Sequence, residues 1–271
     1  MIKIFTSTLL TLILSIIVFQ SCKDKTKTTA KENLIQKQIN STNDSLKAEN
    51  SEEMKTIKVG YYDIFEKLPK FIIDSTTAFE FDQQKTIADF ETNKIERKQG
   101  FFYIQTSNEK LKFKEIDENS IGNASLNGNE YFGFDKKLKM YSVEKQWVSD
   151  DLGFAEMTLI DSITNYKYKI ISLGDWSVSV PKPSTTKKFM VYYQNPEYES
   201  ETLSIAVLKI TNENRNVKFI TEYKSCFIDN GLSIEEIRWK DDNTFFLKLY
   251  KSKSDVNGNE IKEYKYFVAK I

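Results

Sequence analysis

Carboxylates are the side chains of this sequence whose types and spacing could carry out chemistry. The candidate pairs of adjacent carboxylates are Asp150-Asp151, Glu235-Glu236 and Asp241-Asp242. Two carboxylic acids are all that a glycosidase needs to cleave a sugar linkage. Neighbouring residues of a strand point to opposite faces, however, so adjacent carboxylates on a strand do not act on one bond. We therefore interpret the pairs as solvated turns and edges and predict no catalytic residue, with a carboxylate-based hydrolase as the alternative.

Histidine is missing from the 271-residue chain, and the only cysteines are Cys22 and Cys226. This composition excludes a Ser-His-Asp or Cys-His arrangement, a histidine-ligated zinc site and a cysteine cluster. The sequence also lacks a P-loop and a G-x-G-x-x-G motif, and it contains only nine glycines. We predict neither a cofactor nor a metal.

The segment "DVNGNE", residues 255–260, places oxygen-bearing side chains at Asp255, Asn257 and Glu260. A calcium loop of the EF-hand type is longer and ends in a later bidentate glutamate. The dipeptide Asn257-Gly258 is typical of a two-residue type I′ hairpin turn. The sequence therefore favours a turn over a calcium site here.

Aromatic residues are plentiful, and most of them suit the faces of sheets. The segment "VYYQNPEYESE" places Tyr192, Tyr193 and Tyr198 around a proline. Because consecutive strand residues point to opposite faces, we expect one of Tyr192 and Tyr193 to be exposed. Exposed tyrosines suit contact with a protein or a glycan. Together with Trp176, these tyrosines are the candidate ligand contacts.

The N-terminus has the layout of a secretory signal peptide over residues 1–21, with Lys3 before an uncharged apolar run. The border "VFQSC", residues 18–22, resembles the lipobox of bacterial lipoproteins, in the loose form ending in Ser-Cys that occurs in the Bacteroidetes group. The resemblance implies that Cys22 becomes the first mature residue and carries acyl chains. Two or more such chains make a stable membrane anchor. Lys23 after the cysteine, by the same resemblance, favours the outer membrane.

Composition divides the rest of the chain in two. Residues 23–55 contain no aromatic residue, glycine or proline, so this segment cannot bury enough apolar surface to fold alone. We predict that residues 22–55 form a lipidated, flexible, disordered tether and that residues 56–271 form a single domain. Lysine plus arginine and aspartate plus glutamate number 39 each, so the chain lacks the basic footprint of a nucleic-acid-binding protein.

The domain shows the period-two alternation of half-buried strands. Phe101–Thr106 and Lys110–Ile116 begin the series, which continues at 130–135, 138–143, 155–161, 166–173, 176–180, 189–193, 203–210, 216–223, 235–239, 244–250 and 262–271. Turn dipeptides fall between them, at Asn127-Gly128, Gly174-Asp175, Asn230-Gly231 and Asn257-Gly258. This pattern predicts a mainly β fold: an antiparallel meander, sandwich or curled sheet, with a propeller-like arrangement as the alternative.

These observations favour a lipid-anchored β domain of the cell envelope that is not an enzyme and binds a protein or a glycan. The alternatives from other classes are an envelope hydrolase that uses carboxylates alone and an immunity-type lipoprotein that neutralises a toxin.

Overall fold

The computed structural model describes residues 56–60, 62–86, 90–117, 126–172, 177–197, 200–211 and 218–271. The predicted signal peptide, lipidated cysteine and tether therefore lie outside the described residues. Within the described part, the chain forms sixteen strands and two short helices. The prediction of a mainly β, antiparallel fold is confirmed.

Four sheets follow one another along the chain, and each is built mainly of consecutive hairpins. Sheet 1 contains β3 (Glu96–Lys98), β4 (Phe101–Gln105) and β5 (Lys110–Lys114). Sheet 2 has the order β1-β9-β8-β7-β6, with β1 (Thr56–Val59), β6 (Asn127–Asp135), β7 (Met140–Ser149), β8 (Leu152–Asp161) and β9 (Lys167–Ile170). Its β1–β9 contact is parallel, a pairing that the hairpin pattern does not predict.

Sheets 3 and 4 complete the domain. Sheet 3 contains β10 (Lys182–Pro183), β11 (Phe189–Gln194), β12 (Thr202–Ile210) and β13 (Ile220–Asp229). Sheet 4 has the order β14-β15-β16-β2, with β2 (Ile72–Ser75), β14 (Ser233–Trp239), β15 (Thr244–Ser254) and β16 (Glu260–Lys270). An early strand thus joins the last sheet and ties the start of the domain to its end.

Sheet 3 lies between sheets 2 and 4, and its strands β11 and β12 are buried on both faces. On β12, Ala206 and Leu208 pack into the core shared with sheet 2, whereas Ile205 and Val207 pack into the core shared with sheet 4. A third, smaller core joins sheets 1 and 2 around Phe102. The continuous apolar run in β12 is therefore the sequence mark of a strand covered on both sides.

The two helices are short and lie near the start of the domain. α1 (Tyr62–Lys67) ends before Pro69 and buries Phe65 in the core between sheets 2 and 3. α2 (Ala78–Asp82) begins at Thr77, whose side chain accepts a hydrogen bond from the N–H of Glu80. None of the helices in the described ranges has the length and apolar character needed to cross a membrane.

The predicted turns have mixed outcomes. Asn230-Gly231 does lie in the turn between β13 and β14, with φ +66° at Gly231. Asn127-Gly128 is not a turn, because these residues open β6, and Gly174-Asp175 lies outside the described residues. The described part of segment 176–180 is not a strand. Its backbone contacts β11 through a hydrogen bond from the Ser179 N–H to the Tyr193 carbonyl.

Candidate functional site

The predicted tyrosine contacts separate onto two faces of β11. Tyr192 is fully buried between sheets 2 and 3, and burial raises its pKa well above the usual value. Tyr193 is half-buried on the opposite face, against the core shared with sheet 4. The expectation for Tyr192 is therefore corrected: its side chain belongs to the core and has no exposed surface for a ligand. Tyr198 and Trp176 lie outside the described residues, so their ligand contacts stay predictions.

The adjacent carboxylates near the hairpins serve as turns. Asp150 and Asp151 are the two exposed residues between β7 and β8, and both have positive φ, at +51° and +61°. Such angles are those of a type I′ turn, which explains why a two-residue hairpin closes here without glycine. In the turn between β14 and β15, Asp241 accepts a hydrogen bond from the N–H of Asn243 at 2.8 Å.

The remaining carboxylates of these pairs bond to separate partners. The Glu235 carboxylate accepts from Lys248 Nζ at 3.3 Å, whereas that of Glu236 accepts from Arg238 Nε at 2.7 Å. Asp242 accepts from Ser184 Oγ at 2.8 Å and thereby connects sheets 4 and 3. These interactions stabilise the fold and do not aim two carboxylates at one point.

The segment 255–260 is a loop organised by its aspartate. Asp255 Oδ1 accepts hydrogen bonds from the N–H groups of Asn257 and Asn259, each at 2.8 Å. The loop spans the five residues between β15 and β16, so the expected two-residue type I′ turn at Asn257-Gly258 is wrong. No cluster of three metal-ligating side chains occurs in the described ranges.

A cleft of about 360 Å³ opens where the end of β5 meets the edge strand β6, a volume within the usual range for small-molecule sites. It is lined by five polar side chains together with Ile116 and Tyr131; the polar residues are Arg97, Glu115, Asn129, Glu130 and Gln146. Gly128 allows this meeting, because a Cβ there would lie 2.7 Å from the backbone of Ile116. The N–H of Ile116 then donates to the Asn129 carbonyl at 3.2 Å.

Arg97 and Tyr131 give the cleft a charged wall and an apolar wall. The Arg97 guanidinium forms an ion pair with Glu115. Tyr131 packs in the core between sheets 1 and 2, with its ring centroid 6.0 Å from that of Phe102. Burial raises the pKa of Tyr131 to about 12, so its hydroxyl stays protonated at neutral pH.

Glu130 and Glu144 stand directly opposite each other on β6 and β7. Glu130 lines the cleft, whereas Glu144 is buried and accepts a hydrogen bond from Gln146 Nε2 at 2.7 Å. Desolvation, and secondarily the negative charge of Glu144, raise the pKa of Glu130 above its ordinary value. Two carboxyl groups with different environments therefore share one face of the sheet.

Sequence reasoning missed this pair because its members are fourteen positions apart. The hairpin itself carries a partial signal: "EYFGFD" and "LKMYSV" flank a short turn, and pairing outward from that turn brings Glu130 to within one residue of its partner Glu144. A bulge between Tyr131 and Gly133 changes that register by one residue, so counting alone gives the wrong partner.

Comparison with known proteins gives no match for this chain among family models, curated proteins or solved structures.

Proposed function

We propose that this chain is a lipid-anchored domain of the bacterial cell envelope that binds a glycan in the cleft between β5 and β6. The observation that supports this proposal is the lining of the cleft. A guanidinium, carboxyl groups and two amide side chains line the cleft beside Tyr131, which is 6% exposed. Sugars present hydroxyl groups together with an apolar ring face, and such a combination of polar and aromatic groups suits them.

Gln146 is the best position at which to test binding. Its amide lines the cleft and also donates to the buried Glu144. We expect Gln146→Ala to weaken binding about tenfold, the cost of roughly one hydrogen bond to a partly buried polar group. Gln83→Ala is the matched control, because Gln83 is exposed at the end of α2.

Calorimetry on the mature full-length chain in detergent micelles would measure this difference. The probes are maltotetraose, chitotetraose and tetragalacturonate. Binding of one of them that Gln146→Ala weakens and Gln83→Ala leaves unchanged would support the proposal. Failure of all three to bind at millimolar concentration, or equal binding by both variants, would contradict it. Thermal unfolding of each variant shows whether the fold is retained.

Glycan hydrolysis is a second candidate function, and the Glu130–Glu144 pair favours it. Opposed residues of neighbouring strands have Cβ atoms about 4.5–5.5 Å apart, so rotation of the two glutamate side chains lets their carboxyl groups reach the separation of about 5–5.5 Å that retaining glycosidases use. The raised pKa of Glu130 would suit a general acid. Glu144, held by Gln146, would then be the second carboxyl group.

Reducing-end release from the bound oligosaccharide separates hydrolysis from binding alone. A hydrolase requires that both Glu130→Gln and Glu144→Gln abolish release while Glu263→Gln, on the exposed hairpin, retains it. If the wild-type protein binds the oligosaccharide but releases no new reducing ends, it is a binding module, and hydrolysis is excluded.

The anchor is tested independently of the cleft. Cys22→Ala should leave an unprocessed precursor that lacks acyl chains, whereas Cys226→Ser should leave anchoring intact. Detergent-phase partitioning and intact mass measure both outcomes. A soluble and correctly cleaved Cys22→Ala protein would contradict the lipid anchor.

A further inference from the structure

β15 and β16 extend beyond the strands that flank them. They pair with each other from Thr244 opposite Lys270 to Ser254 opposite Glu260. On one side β14 reaches only as far as Tyr250, and on the other side β2 covers only Phe267–Lys270. Residues 251–265, called the arm below, therefore have no flanking strand among the described residues.

The outer edge of the arm presents free backbone groups in a regular row. The N–H of Thr76 donates to the Tyr266 carbonyl at 2.9 Å, which fixes the backbone of residue 266 as facing the β2 side. Because strand backbone groups alternate in direction, those of Tyr264, Lys262 and Glu260 face the same side. Within the described part of the chain, no strand pairs with these groups. Such an edge is a template for an added strand.

β2 shows what kind of strand this edge accepts. It runs antiparallel to β16 and places Asp74 opposite Val268, with Asp74 Oδ2 3.8 Å from Lys270 Nζ. β2 ends at Ser75, since Thr77 caps α2 and the chain turns away. The chain itself thus occupies part of the edge with an extended segment whose carboxylate faces an edge lysine.

Charge along the arm favours another acidic strand. Lysines outnumber acids four to three, with Lys251, Lys253, Lys262 and Lys265 against Asp255, Glu260 and Glu263. The Asp255 carboxylate is directed onto the N–H groups of its own loop, and Glu263 forms an ion pair with Lys253. Glu260, the remaining acid, accepts a hydrogen bond from Ser252 Oγ at 2.5 Å. Lys262 and Lys265 supply the positive charge along this part of β16, beside the carboxylates of Glu260 and Glu263.

We infer that the outer edge of β16, over Glu260–Tyr264, binds an extended acidic segment of a partner protein as an additional antiparallel strand. Main-chain hydrogen bonds would provide the affinity, and lysine–carboxylate contacts would provide the preference for acidic side chains. Tyr264 and Ile261, which are 39% and 53% exposed, offer apolar contact on opposite faces of the added strand. This surface is separate from the cleft, so the inference does not depend on the glycan proposal.

Synthetic peptides test the chemistry of the edge. The probe is an acetylated and amidated eight-residue peptide of alternating threonine and glutamate, added to the mature full-length chain in detergent micelles. One comparison peptide carries lysine in place of glutamate, and another carries N-methyl groups at alternate positions. We expect the acidic peptide to bind about tenfold more tightly than either comparison peptide, since one has the wrong charge and the other lacks edge donors.

Hydrogen exchange provides a residue-level readout. The amides of Lys262 and Tyr264 should exchange fast in the free protein and about tenfold more slowly with the acidic peptide bound. Lys262→Pro removes one outward N–H, which an edge position tolerates, whereas Lys262→Ala keeps that N–H and removes only the charge. Binding of the acidic peptide should therefore fall more in Lys262→Pro than in Lys262→Ala. Gln146→Ala, which changes the cleft, should leave binding of this peptide unchanged.

Several outcomes would overturn the inference. Equal binding of the methylated and unmethylated acidic peptides to the wild-type chain excludes strand addition, whatever happens to the proline variant. If the acidic and basic peptides bind equally well, or if neither binds at millimolar concentration, an acidic segment is excluded as the occupant of the edge. A concentration-dependent dimer that protects the Lys262 and Tyr264 amides without peptide would show that a second copy of this chain occupies the edge.

Discussion

Lys187 Nζ lies 2.7 Å from Asp135 Oδ2, and the two side chains are only 9% and 3% exposed although they come from different sheets. Asp135 ends β6 in sheet 2, and its other oxygen accepts from the N–H of Leu138 at 2.8 Å. Lys187 lies in the turn between β10 and β11 of sheet 3. Asp242 of sheet 4 accepts from Thr186 N–H at 2.9 Å in the same turn. This turn therefore joins three sheets.

Breaking the buried pair should destabilise the domain strongly. Lys187→Met leaves the Asp135 carboxylate buried without its cation, and such losses cost about 3–5 kcal/mol of unfolding free energy. Lys110→Met removes the exposed partner of Glu96 and should cost less than about 1 kcal/mol. Chemical denaturation of both variants makes the comparison. Similar losses of unfolding free energy for the two variants would contradict the role assigned to burial. The double variant Asp135→Asn with Lys187→Met should lose less unfolding free energy than the sum of the two single variants.

Gly60 and Tyr192 form a second test of packing. Gly60 has φ +88°, and a Cβ at this position would overlap the Tyr192 hydroxyl, which has no hydrogen-bond partner among the described residues. Gly60→Ala should therefore destabilise the fold by about 1–3 kcal/mol. Tyr192→Phe removes an unsatisfied buried hydroxyl, so it should be neutral or stabilising.

The double variant of Gly60 and Tyr192 separates the two causes. Tyr192→Phe removes the atom that a Cβ would overlap, so Gly60→Ala should cost less in the Tyr192→Phe background than in the wild type. What remains is the backbone cost of alanine at positive φ. Equal costs in both backgrounds would show that steric overlap with the hydroxyl contributes nothing.

Much of the strand content was predictable because local alternation decides it. The sequence of β5, Lys110–Lys114, alternates in burial as its letters alternate, and the run in β12 is buried on both faces. α2 also carries a readable signal, since Thr77 and Glu80 form a capping box. These features depend on neighbours within a few residues, which a single sequence displays.

Features set by distant contacts could not be predicted in this way. Asn127-Gly128 has the letters of a turn, but Gly128 is needed because the backbone of Ile116 approaches it closely. The parallel pairing of β1 with β9 joins segments far apart in sequence. The Glu130–Glu144 pair depends on a bulge near Gly133, where a Cβ would lie 2.7 Å from the backbone of Phe90.

Stability should depend on pH through Glu130. The folded protein raises the pKa of this carboxyl, so the native state binds its proton more tightly than the unfolded state. Ionisation of Glu130 therefore lowers stability as pH rises from the unfolded value, about 4.3, through the folded one. Glu130→Gln should raise the melting temperature at pH 7, and this gain should vanish near pH 4.

Glu263 provides the contrast of opposite sign. The hydrogen bond and charge of Lys253 lower the pKa of Glu263, so its ionised form favours the native state. Glu263→Gln should then give no gain in melting temperature at pH 7. Thermal unfolding at pH 4 and pH 7 measures both variants. A gain at pH 7 for Glu263→Gln equal to that for Glu130→Gln would show that general surface charge is responsible, and not the desolvation of Glu130 together with the nearby charge of Glu144.

Cys226 should be a slowly reacting thiol that packs as a small apolar side chain. It lies on β13 opposite Ile205 and contacts the core between sheets 3 and 4. Burial raises the pKa of the thiol, and the positive charge of Lys70 opposes this only in part. Because the pKa is raised, little thiolate is present at neutral pH. The thiolate is the reactive form, so the thiol reacts slowly. Cys226→Ser should also lower stability by about 1–2 kcal/mol, since it places a hydroxyl against apolar neighbours.

The alkylation rate of Cys226 has a matched reference on the arm. In a Cys22→Ser background, Cys226 should react with iodoacetamide at pH 7.5 at least about tenfold more slowly than a cysteine introduced by Val256→Cys with Cys226→Ser. Val256 is fully exposed in the loop between β15 and β16, so a thiol there samples the unperturbed rate. Denaturant should remove the difference, because unfolding exposes both thiols. Equal rates in the native state, or a Cys22–Cys226 bridge in the mass of the wild-type chain, would contradict separate fates for the two cysteines.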